Sequence, residues 1–110
     1  MEQHPGIYRQ ILSVIHDNPG TGGTIRLAKL TLSLWNDDCC FAASECLSGL
    51  DSRNSLLALR ALSHYASVGE DEELRQVGHE VHRLYPHLWE ISRAGTKAKA
   101  EWRDTDAGER

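Results

Sequence analysis

The chain has 110 residues, 40% hydrophobic and 25% charged, and its 12 Lys and Arg against 16 Asp and Glu give a formal net charge of −4. That apolar fraction excludes wholesale disorder, and the length fits one domain around a single core. The negative balance disfavours a duplex-DNA binder, which neutralises phosphates with Lys and Arg.

In chain order, the first periodic segment is Ile7 to Asp17, with Ile7, Ile11, Val14 and Ile15 on one face. It stops at Asn18-Pro19-Gly20-Thr21-Gly22-Gly23, a turn-forming run, and Thr24 is placed to cap a second helix from Ile25 to Trp35. Leu30, Leu32 and Leu34 alternate as a strand would, but length and the Leu, Ala and Lys content favour a helix buried on more than one side. After a loop with Asp37 and Asp38, one short helical turn is expected within Phe41 to Leu50, ended by Gly49.

Asp51 or Ser52 can cap a helix of about Arg53 to Ser67, with Leu56, Leu57, Leu59, Leu62, Tyr65 and Ala66 as its expected core face. Asp71 can cap the next, about Glu72 to Tyr85, where Leu74, Val77, Val81 and Leu84 form the stripe and Gly78 admits a close neighbour. Pro86 breaks the ladder, and a last segment carries Leu88, Trp89 and Ile91 until Gly95 interrupts it. The expectation is an all-α fold, a compact bundle of five or six short helices with a single core. The bundle domain spans residues 1–95, and 96–110 form a polar tail or appended helix that carries Trp102.

No apolar run approaches the ~20 residues that a membrane-crossing helix needs, and the start, Met1 to Gly6, lacks a basic region followed by an apolar stretch. Three cysteines, two of them adjacent at Cys39 and Cys40, do not make a disulfide framework. A reduced, cytoplasmic protein is the expectation.

Chemistry-bearing patterns are incomplete. The Gly20–Gly23 loop precedes a helix but lacks the lysine and the preceding strand of a phosphate loop. His79 and His82 share a helix face with Glu80 between them, yet zinc wants at least three protein ligands and only two are local. Ser63 and His64 are neighbours that point about 100° apart on a helix, and no Gly-x-Ser-x-Gly elbow exists. Neither a catalytic residue, a metal site nor a cofactor is assigned. What remains is acidic and aromatic. Asp37 and Asp38, the run Glu70, Asp71, Glu72 and Glu73, and the tryptophans Trp89 and Trp102 are the candidate protein-binding residues.

Gly20-Thr21-Gly22, the stretch from Ala28-Lys29-Leu30 to Trp35-Asn36, and Leu50-Asp51 together resemble a family of small helical proteins carried on plasmids and integrative elements of proteobacteria. The match covers about residues 7–68. The resemblance implies a mobile-DNA setting, in which small acidic helical proteins bind host machinery, and no site residue comes with it. The functional expectation is a non-enzymatic protein that binds another protein, an anti-CRISPR-like inhibitor of a host defence complex. A homo-oligomer is a further option. The alternatives are a nucleic-acid-binding accessory module using Arg53, Arg60, Arg75, Arg83 and Arg93, and a His/Cys metal-binding protein.

Overall fold

A computed structural model describes residues 6–36, 39 and 41–109, with side chains through Trp102. Asp37, Asp38 and Cys40 lie outside the described residues. Among those residues the chain is all helix and loop, without a strand: α1 Ile7–Asp17, α2 Gly22–Trp35, α3 Ala43–Leu47, α4 Ser52–Val68, α5 Glu72–Leu84 and α6 Pro86–Glu109.

Helix α2 is the hub. It packs against α1, α3, α4 and α5, which explains why Leu27, Ala28, Leu30 and Leu32 are all buried although they do not share one narrow stripe. Leu32, which also read as a strand position, faces the core like the rest. Around the hub, α1 contributes Tyr8, Ile11 and Ile15, and α5 contributes Leu74, Val77 and Val81, each removed from solvent. At Gly78 the α5 backbone lies against the Trp35 indole of α2, and a Cβ there would overlap the ring.

Three expectations need correction. Helix α2 begins inside the glycine run, at Gly22, and its cap is Thr21, whose hydroxyl accepts from the Thr24 N–H at 3.2 Å. Thr24 is instead buried and donates its own hydroxyl to the Asn18 carbonyl at 2.6 Å, closing the α1–α2 turn. Two glycines in a first turn cost little when a side-chain cap and a buried hydroxyl fix the entry.

Helix α4 turns differently than its leucines suggest. Leu57, Ala58 and Ala61 are the buried residues, whereas Leu56 and Leu59 are 58% and 60% exposed. The two alanines let α4 sit close on α1 and α2, and that approach rotates the leucines away, about 150° round the helix.

Gly95, finally, does not interrupt α6, which runs unbroken from Pro86. Proline is favoured at a first helical position because its missing N–H has no intrahelical partner there. Leu88 and Ser92 are buried beside α5, but residues 97–102 are all exposed, so the second half of α6 leaves the bundle.

Candidate protein-binding surfaces

The acidic run at the start of α5 is tied into the fold. Asp71 caps α5, accepting from the Leu74 N–H at 2.8 Å, and its other oxygen pairs with His64 Nε2 of α4 at 2.8 Å. Burial pushes the Asp71 carboxyl up, but the His64 and Leu74 hydrogen bonds and the neighbouring positive charge outweigh it and hold the group below its ordinary value. Glu73 reaches back to the first turn of α1, where Oε1 accepts from the Tyr8 N–H at 3.0 Å and the Arg9 N–H at 3.3 Å. It supplies the cap that Gly6, without a side chain, cannot. Glu72 and Glu70 both bind Arg75, at 2.9 and 3.4 Å. Of the candidate acids, these four therefore lie together, but each is engaged within the chain.

Beside them is a cleft of about 560 Å³ lined in part by Arg60, Ser63, His64, Ser67 and Asp71. A His–Asp pair next to two serines has the residue types of a hydrolytic site. Among the described residues, however, neither serine is hydrogen-bonded to His64, so the nucleophile–base contact is not made. The pair instead ties the end of α4 to the cap of α5. Under it, the Tyr8 hydroxyl is buried without a hydrogen-bond partner among the described residues. Burial, reinforced by the Asp71 and Glu73 charges, raises that phenol to about 12. Cys46 is no better a nucleophile: burial pushes its thiol up to about 11, leaving it protonated near neutrality.

His79 and His82 take part in an aromatic cluster. The Trp35 ring lies 4.9 Å from His79 and 5.8 Å from Trp89, and His82 lies 4.7 Å from Trp89. Among the described residues no three His, Cys, Asp or Glu side chains gather as a metal site. Trp89 is thus half-buried against α2 and α5, at the seam where α6 joins the bundle. Trp102 is apart from it and 72% exposed.

The arginines of the nucleic-acid reading are spread over three helices. Arg75 is held by the two glutamates, and Arg83 forms an ion pair with Glu80 one turn away on α5. Arg53 and Arg60 lie on α4 and Arg93 on α6.

The surface that sequence reasoning placed in the core is the outward face of α4. Leu56 and Leu59 stand next to one another there, one turn apart, flanked by Arg53 and Arg60. No acidic residue occurs within Ser52–Val68, in a chain whose formal charge is −4. A signal was present in the sequence: nine of the 17 residues of this helix are apolar and spread too widely for one stripe. No family model, curated protein or solved structure matches the chain.

Proposed function

We propose that the protein acts without catalysis, by docking another protein onto the outward face of α4. The observation that carries this reading is the exposed pair Leu56 and Leu59. Neither leucine contributes to the core, and adjacent exposed leucines rimmed by arginines have the composition of an interface centre with a charged edge. Arg53 and Arg60 favour a partner that presents an apolar recess edged by carboxylates. The acids of α5 are engaged with His64, Arg75 and the start of α1, so they support the fold more directly than a partner.

The finer reading, an anti-CRISPR-like inhibitor of a host defence complex, rests on the resemblance to mobile-element proteins. It requires the captured partner to be a subunit of such a complex. The test is affinity capture from bacterial extract with the parent chain and with the double variant Leu56→Gln/Leu59→Gln. Glutamine keeps helix propensity, and exposed substitutions of this kind change stability by about 0.5 kcal/mol or less. A partner held by the parent and lost from the equally folded variant is the expected outcome. Equal capture by both chains, or nucleic acid that elutes with salt in place of a protein, would contradict it.

A further inference from the structure

We infer that the chain self-associates through α6, two copies crossing antiparallel on the face that carries Ile91, Gly95, Ala98 and Trp102. These four residues follow one another at spacings of four, three and four, which keeps them on one side of a helix. That side lies about a quarter turn from the buried Leu88 and Ser92, so α5 does not cover it. Ile91 is 61% and Trp102 72% exposed, the latter the most exposed large apolar residue described. Between them, Gly95 faces open space: a Cβ would meet nothing within 4 Å. Packing within one copy therefore gives no reason for glycine, which is the poorest helix former after proline. Close approach of a second helix does.

The occupant follows from the symmetry of the pattern. Gly95 and Ala98 flank the midpoint of the stripe, and Ile91 and Trp102 lie equally far outside them. A two-fold axis through that midpoint sets Gly95 against Ala98 of the partner subunit and Ile91 against Trp102 of the partner subunit. The backbones approach at the small residues, and a large pair packs on either side, so one patch complements itself as an isologous contact requires. A parallel pairing would instead stack tryptophan on tryptophan and leave a gap at glycine on glycine. Charge agrees with the antiparallel choice. Lys99 comes beside Ala94 of the partner subunit and Glu101 beside Ser92 of the partner subunit, so like charges do not meet.

The area sets the strength. Each Trp102 ring buries on the order of 200 Å², and with Ile91 the two copies remain below the ~1,200 Å² of a stable interface. The dimer is therefore weak and concentration-dependent. It uses a different face from the proposed partner site on α4, so either can fail without the other.

Sedimentation equilibrium on the full chain, from about 10 to about 500 µM, covers the range in which a contact of this size associates. The weight-average mass is expected to climb from one chain toward two. Gly95→Leu, which improves helix propensity while placing bulk at the crossing, should weaken association at least tenfold with helicity retained. Trp102→Ala should weaken it too. Mixing Ile91→Cys and Trp102→Cys chains under mild oxidation should give mainly the mixed disulfide. A single-chain mass throughout the range, a dimer undiminished in Gly95→Leu, or disulfides only between like chains would overturn the proposal.

Discussion

At Gly78 and Gly95 the same added methyl group has opposite expected effects. A Cβ at Gly78 overlaps the Trp35 indole, so Gly78→Ala must shift α5 from α2, while at Gly95 the space is open. Overpacking costs ~1–3 kcal/mol, more than the ~1 kcal/mol that alanine gains in helix propensity. Gly78→Ala should therefore lower the urea midpoint, and Gly95→Ala should raise helicity measured by circular dichroism at micromolar protein. Tyr8 offers a second contrast. Its hydroxyl is buried and unpaired among the described residues, so Tyr8→Phe removes a desolvation cost without losing a hydrogen bond. Stability should hold or rise by up to ~1–2 kcal/mol, and a clear loss in urea denaturation would show that the hydroxyl has a partner.

Asp71 links a residue to pH. Its carboxyl is held below the ordinary 3.8, so in acid the unfolded chain binds the proton more readily than the folded one. The stability it contributes is present above the ordinary value and is lost as pH falls through the depressed one. Asp71→Asn should flatten the fall in stability below about pH 4, and should also cost about 1 kcal/mol or more at pH 7 through the weakened cap. Urea titrations of both chains at neutral and acid pH check this; an unchanged acid slope would count against it.

At the scale of elements, most of the fold was legible. The apolar periodicity of Ile7–Asp17 and of the α5 stripe fixes two helices because each has one partner side and one solvent side. Asp71 read correctly as a cap, and of Asp51 and Ser52 the cap is Asp51, because capping is local. What the sequence did not disclose is non-local. Glu73 closes the end of a helix 65 residues away, and no spacing rule reaches that far. The rotation of α4 was hidden because leucine outweighs alanine in any count of apolar residues, whereas packing distance is set by the small side chains. Gly95 misled for a related reason: one glycine costs a helix about 1 kcal/mol, too little to end a helix of 24 residues. Of the candidate site, Trp102 lies on the exposed second half of an unbroken α6, where a tail or a separate appended helix was expected, while Trp89 joins the histidine cluster and the α4 face was read as core.

For the whole molecule, the distribution of charge matters more than its sum. The acids of α5 join α1, α4 and α5 to one another, through Glu73 and Asp71, while α4 shows solvent only neutral and basic residues around its two leucines. The core thus closes around α2 with Leu57, Ala58 and Ala61 of α4, and the outward face of α4 takes no part in that closure. Leu56 and Leu59 are exposed and add nothing to the core, and the proposed docking function rests on that exposure.

The most direct measurement is amide-resolved NMR of the isotopically labelled chain, titrated with the protein it captures from extract. The perturbed signals are expected to concentrate on the outward side of Ser52–Val68, centred on Leu56, Leu59 and Arg60. Perturbation centred on the start of α5 or on the Gly20–Gly23 turn, with the α4 signals unmoved, would contradict docking on α4.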